Sequence, residues 1–219
     1  MGRGRLGPWL LGVSSVLAGA AAAAPPSGHL PAPAAPVAST ATGGPAGAAA
    51  SDALDQVLGL LAMRRHGRVS FTEVHTLAML DRPLESSGEL LYDAPDRLEK
   101  RTLQPKPETL LLEHGVLTAR RGHRSWVLSL QQFPQVVPFV ESIRATLAGD
   151  RRALERFFRL DFSGSLAHWS LTLVPTDATV GRSVNEIHIE GERDLIHTVR
   201  VTQSDGDSSL LTIGAEVTP

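Results

Sequence analysis

Hydrophobic and polar positions along this chain alternate between two rhythms. Leu54, Val57, Leu58 and Leu61 recur at helical spacing, which predicts a helix with one apolar stripe, capped by Ser51-Asp52 and ended at Gly67. Strand signals follow. Val69 and Phe71, then Leu77 and Met79, share one parity, and Leu90 and Tyr92 alternate with Glu89 and Leu91 before a turn at Asp93-Ala94-Pro95-Asp96. Pro105 and Pro107 mark a corner. Leu110 to Leu112 and Val116-Leu117 flank a hairpin signal at His114-Gly115, and Arg121-Gly122-His123 predicts another turn. Trp126, Leu128 and Leu130 then fall on one face.

The rhythm breaks at Phe133-Pro134. Val136, Phe139, Val140, Ile143 and Leu147 fit a helix with a broad apolar face, which Gly149 stops. Asp150 caps a second short helix carrying Leu154, Phe157 and Phe158, with Arg151, Arg152, Arg156 and Arg159 on the opposite side. Strands resume where Trp169, Leu171 and Leu173 alternate with His168, Ser170 and Thr172. Ile187 and Ile189 continue the pattern, and Leu195, Val199 and Val201 lead through the turn Asp205-Gly206-Asp207 to Leu211 and Ile213. The order is a helix, about six strands, two helices and about four strands, an α+β arrangement. Without long helical crossovers between most strands the sheet is antiparallel, with one apolar face, and three short helices are its only cover.

Composition changes this picture at the N-terminus. Arg3 and Arg5 precede an apolar run from Leu10 to Leu17 and small residues to Ala24, the make-up of a secretory signal peptide over residues 1–24. Residues 25–50 carry no Lys, Arg, Asp or Glu and are rich in Ala, Pro and Gly, which predicts a disordered linker ahead of a folded domain over residues 51–219. The chain has no cysteine, so it offers neither a disulfide nor a thiolate metal site. Without Arg3 and Arg5 its 21 basic residues fall to 19 against 23 acidic, a net charge of −4 that argues against nucleic acid as a partner.

The search for chemistry is largely negative. No nucleophile elbow, zinc motif or glycine-rich phosphate loop is present, so neither a cofactor, a bound metal nor an enzymatic activity is expected. Glu73 and His75 lie on the strand face that carries Phe71. They could do acid–base work or form a polar spot on an otherwise apolar face. Arg120, Arg121, His123 and Arg124 surround a turn and could dock an acidic partner or anionic head groups, or simply solvate a hairpin tip.

Several blocks together resemble one family. Phe71-Thr72-Glu73, Ser87-Gly88-Glu89-Leu90 and Pro95-Asp96-Arg97-Leu98 are similar to the opening strands of LolA-type lipoprotein carriers. The spaced Trp169, Leu171, Leu173 and Pro175, then Ile187 and Ile189, Ile196-His197 and Asp205-Gly206 are similar to their closing strands. The resemblance spans nearly all of residues 52–215. It implies an unclosed antiparallel barrel of about 10 to 11 strands, its helices forming a lid over a hydrophobic cavity. It further implies a monomeric periplasmic carrier of acyl chains, loaded by an inner-membrane transporter and unloaded at an outer-membrane acceptor. An accessory or sensing module for lipid export on the same fold is the alternative.

The implied lining is Phe71, Leu90, Tyr92, Leu98, Trp126, Leu128, Trp169, Leu171 and Leu173 from the strands. The helices add Phe139, Val140, Ile143, Leu147, Leu154, Phe157 and Phe158. Arg120, Arg121 and Arg124 would be the partner-docking residues. Two departures favour a specialised member: Ala94 stands where the carrier has an arginine before its proline, and the chain ends soon after Ile213.

Overall fold

The structure, a computed structural model, describes residues 45–132 and 137–217. The expected signal peptide, the linker up to residue 44, the break at Phe133-Pro134 and the helical position Val136 lie outside the described residues.

Eleven strands form a single sheet. They are β1 (His66–Thr76), β2 (Leu84–Asp93), β3 (Arg97–Gln104), β4 (Glu108–Glu113), β5 (Val116–Arg121), β6 (Arg124–Ser129), β7 (Phe158–Ser165), β8 (His168–Pro175), β9 (Val184–Glu192), β10 (Leu195–Gln203) and β11 (Ser208–Glu216). The spatial order is β6-β5-β4-β3-β2-β1-β11-β10-β9-β8-β7, and every pairing is antiparallel. β6 and β7 remain edges, so the barrel is unclosed, as expected. Short turns suffice between most strands because neighbours in sequence are neighbours in the sheet. His114 and Gly115, Gly122 and Gly206 supply the positive φ that three of these turns need.

Helix α1 (Pro45–Met63) precedes the sheet, α2 (Val137–Ala148) and α3 (Arg151–Glu155) sit between β6 and β7, and a short α4 (Ala178–Gly181) follows β8. α1 corrects the expected start at Ser51-Asp52. It begins at Pro45, because the alanines before Ser51 favour helix and proline suits a first helical turn. Its stripe is as expected: Leu54, Val57, Leu58 and Leu61 are all fully buried. Each such side chain contributes roughly 1.5–3 kcal/mol by leaving water.

Two further expectations are corrected. Phe158 is not on the second middle helix. It opens β7, where Phe158, Leu160 and Phe162 face Pro175, Leu173 and Leu171 of β8. α3 stops at Glu155 because the alternating apolar residues after it are better used in the ladder. Met79 does not continue the parity of Phe71. It lies in the β1–β2 loop with its side chain almost wholly exposed, while Leu77 is buried.

Register puts one set of side chains on the helix-covered face from edge to edge. Leu128, Leu117, Leu112, Leu98 and Tyr92 are successive partners across β6 to β2. Leu211, Val199, Ile189, Leu171 and Phe162 continue the face across β11 to β7. Two core clusters rest on it. The larger joins α1, Ala145 of α2, Leu154 of α3 and the strands β7 to β10. The smaller joins Leu112, Leu117, Leu130 and Val140, with Leu98, Leu128 and Val137 packed against them.

Candidate functional site: a half-covered sheet face with a polar end

The two halves of the covered face are packed differently. On β7 to β9, Phe158, Trp169, Leu171 and Leu173 are each no more than 3% exposed, and Leu154 from α3 is 1% exposed. These five expected lining residues sit within the solid cluster beneath α1. On β2 to β6 the corresponding side chains Leu90, Tyr92, Leu98, Leu110, Trp126 and Leu128 are only partly buried. Phe71, on β1 between the halves, is buried.

The helical cover follows the same division. Val140 is buried against the β4–β5 side, while Phe139 and Phe157 pack against the large cluster and remain partly exposed. Ile143 and Leu147 are also only partly buried. Sequence periodicity misses two residues here, since Ser142 and Thr146 of α2 are each 1% exposed. Both hydroxyls donate to their own helix, Ser142 Oγ to the Phe139 carbonyl at 2.7 Å and Thr146 Oγ1 to the Ser142 carbonyl at 2.6 Å. Bonded this way they bury at little cost. Their signal was the spacing of small residues at 142, 145 and 146.

A pocket of about 230 Å³ opens where α2 meets the β4–β5 turn, lined by Asp96, Leu112, Gly115, Leu130, Val140, Glu141 and Arg144. Arg144 is tied to Glu141 at 2.6 Å. Tyr92 stands on the same side of the sheet. Burial raises its phenol above the usual range, partly offset by the Arg144 charge, so it presents a neutral hydroxyl.

At the opposite end of these strands the face turns polar. Glu73 and His75 do share the face of Phe71, and β2 and β3 add two partners that the sequence does not reveal. His75 Nε2 lies 3.1 Å from Glu73 Oε2, Ser86 Oγ donates to the same oxygen at 3.3 Å, and Lys100 Nζ forms an ion pair with it. Lys100 crosses the Phe71 ring, its ammonium 5.0 Å from the centroid, to reach Glu73. The intervening residue is Gly88, paired with Phe71 on one side and Thr102 on the other. A Cβ there would lie 1.9 Å from the Arg101 carbonyl oxygen, so only glycine fits, and the gap lets Lys100 run diagonally across two strands. Burial alone would raise the Glu73 carboxyl. The hydrogen bond from His75 and the charge and hydrogen bond of Lys100 outweigh it and hold the pKa at about 2.

Of the expected docking residues, Arg120 and Arg124 are exposed, and Arg121 turns to the covered face and pairs with Glu108 at 2.5 Å. Arg151 joins α3 to α1 by contacts to Ser51 at 2.8 Å and Asp55 at 2.9 Å. Among the described residues no cluster of three His, Cys, Asp or Glu side chains could hold a metal. No helix there is long and apolar enough to cross a membrane.

The comparison with curated proteins found no match. Among similar solved structures is a LolA superfamily protein from Nitrosomonas europaea. It shares 10% identity over 78% of this chain and 93% of that one, with a TM-score of 0.42. LprF from Mycobacterium bovis shares 12% identity over 76% of this chain and 93% of that one, with a TM-score of 0.35. The MucA/MucB complex of Pseudomonas aeruginosa matches at 16% identity and a TM-score of 0.40, over 76% of this chain but only 59% of that one. The family described as outer membrane lipoprotein carrier protein LolA-like matches residues 46–217. The chain therefore belongs to the LolA-like family of outer-membrane lipoprotein carrier proteins.

Proposed function

We propose that this protein is a periplasmic carrier that takes up acyl chains of a lipid or lipoprotein and is not an enzyme. In this reading a cleaved signal peptide exports it, an inner-membrane transporter loads it and an outer-membrane acceptor relieves it of cargo. The carrying observation is the difference between the two halves of one apolar face. β7 to β9 are packed under α1, whereas Leu90, Tyr92, Leu98, Leu110, Trp126 and Leu128 are only partly buried, and of these Leu98 and Leu128 pack against the cluster that includes Val140 of α2. A carrier must offer a hydrocarbon chain what a membrane offers, about 0.8 kcal/mol for each CH₂ removed from water. The partly exposed apolar side chains of strands β2 to β6, with α2 as cover, can supply this. Release needs that cover to be incomplete, and Phe139, Ile143 and Leu147 are only partly buried.

Mass spectrometry of an organic extract of the purified protein is expected to show acylated species. Trp126→Arg and Ile143→Arg each put a charge where the chain would lie. They are expected to weaken binding of a fluorescent fatty-acid probe by about tenfold or more while leaving the fold intact, because both sites are only partly buried. Unchanged probe affinity in both variants would remove β6 and α2 from the site.

A further inference from the structure

The polar end of the half-covered face looks out of place in a hydrocarbon site. Four polar side chains converge there from three strands, and the contacts described all fall on one atom, Glu73 Oε2. Among the described residues none reaches Glu73 Oε1. Lys100 has three N–H donors, and its side chain is 20% exposed, against 9% for Glu73 and 12% for His75. The cluster therefore keeps one carboxylate acceptor and ammonium donors for a further partner, at the end of the strands away from the pocket beside α2.

Charge decides what that partner is. Glu73 and Lys100 cancel, and so do the neighbouring Glu108 and Arg121 on the same face. An anionic head would be added to the Glu73 charge and a cationic one to that of Lys100, both at a cost in this half-buried setting. A neutral head carrying one donor and one acceptor satisfies both.

We propose that Glu73, Lys100, His75 and Ser86 form a head-group subsite for an acyl chain ending in a secondary amide. The amide N–H donates to Glu73 Oε1, and its carbonyl oxygen accepts from Lys100 Nζ. The hydrocarbon then runs along the strands over Leu90, Leu98, Leu110 and Trp126 toward α2. His75 and Ser86 are positioning residues that fix Glu73 through Oε2. This subsite rests on the acyl-binding reading above and deepens it.

The test compares an N-ethyl amide and an ethyl ester of the same saturated fatty acid, each displacing a fluorescent alkyl probe. The two differ in the N–H. Wild-type protein is expected to prefer the amide by about tenfold, the usual value of a hydrogen bond to a charged group. Glu73→Leu with Lys100→Met replaces the pair by apolar side chains, and there the two ligands are expected to bind alike, with the ester no weaker than in wild type. Glu73→Gln keeps the shape and removes the charge. It is expected to reduce the preference, and it supplies the answer should the double variant fold poorly. Equal affinity for amide and ester in wild type, or an undiminished preference in folded variants, overturns the subsite and leaves acyl binding standing. Failure of both ligands to displace the probe from wild type sinks acyl binding as well.

Discussion

Lys100→Met alone is expected to destabilise the protein by about 3 kcal/mol at neutral pH, whereas the same change combined with Glu73→Leu is expected to restore most of that loss. The reason lies in the burial of Glu73, which is 7% exposed on the covered face. A carboxylate out of water is tolerable while Lys100, His75 and Ser86 supply opposite charge and hydrogen bonds. Without Lys100 it becomes an under-compensated charge in a poor solvent. Removing both partners eliminates the charge and fills the space with apolar atoms, which buried ion pairs often tolerate well.

The pH dependence carries the same sign. The folded pKa of Glu73, about 2, lies below its ordinary value of 4.5, so this group's contribution is fully present above pH 4.5 and is lost as pH falls toward 2. Urea unfolding between those limits is expected to show a shallower acid limb in the double variant than in wild type. A double variant as unstable as Lys100→Met at neutral pH would mean that the pair is structural in a way charge does not explain.

Gly149→Ala is expected to cost about 3 kcal/mol, and the comparable change Gly115→Ala only about 1 kcal/mol. Both glycines have positive φ, +67° and +71°, so the backbone strain is shared. Their surroundings differ. A Cβ on Gly149 would stand 2.4 Å from the Leu58 carbonyl oxygen and 2.8 Å from Ala62 Cβ, while at Gly115 nothing lies within 4 Å. Gly149 is where the turn between α2 and α3 touches α1, so the methyl must push α1 away from that turn. The large cluster would loosen, because Leu54, Val57, Leu58 and Leu61 of α1 and Ala145 of α2 belong to it together. Chemical denaturation of both variants reads the difference directly, and equal losses at the two sites would show that the close approach to α1 contributes nothing.

The residues that were legible in sequence are those whose partners lie nearby in the chain. Helical spacing found the buried stripe of α1, and alternation found β8, because a side chain's face follows from its position along the element. Asp150 accepts from the Ala153 N–H at 3.0 Å, as the capping signal at the start of α3 required. Turn chemistry placed His114-Gly115, Gly122 and Gly206 correctly, since positive φ is a property of single residues.

Other features were decided by contacts between distant segments. β3, Arg-Leu-Glu-Lys-Arg-Thr-Leu-Gln, has only Leu98 and Leu103 as apolar side chains and no apolar alternation of its own, yet it is a strand between β2 and β4. Glu99 is buried there because Arg97 and Arg101 reach it from the same strand at 3.1 and 2.6 Å. Phe158 looked helical by spacing but was drawn into β7 by its partners on β8.

Amino-acid order by itself determined the antiparallel sheet with one apolar face and the short helices that cover it, because periodicity is local. Only tertiary structure decided which part of that face is fully buried and which only partly, since this depends on where α1 and α2 come to rest. It also decided that Lys100, 27 residues away in the chain, meets Glu73. Strand register sets that meeting, together with a side-chain gap at Gly88 that no local pattern encodes.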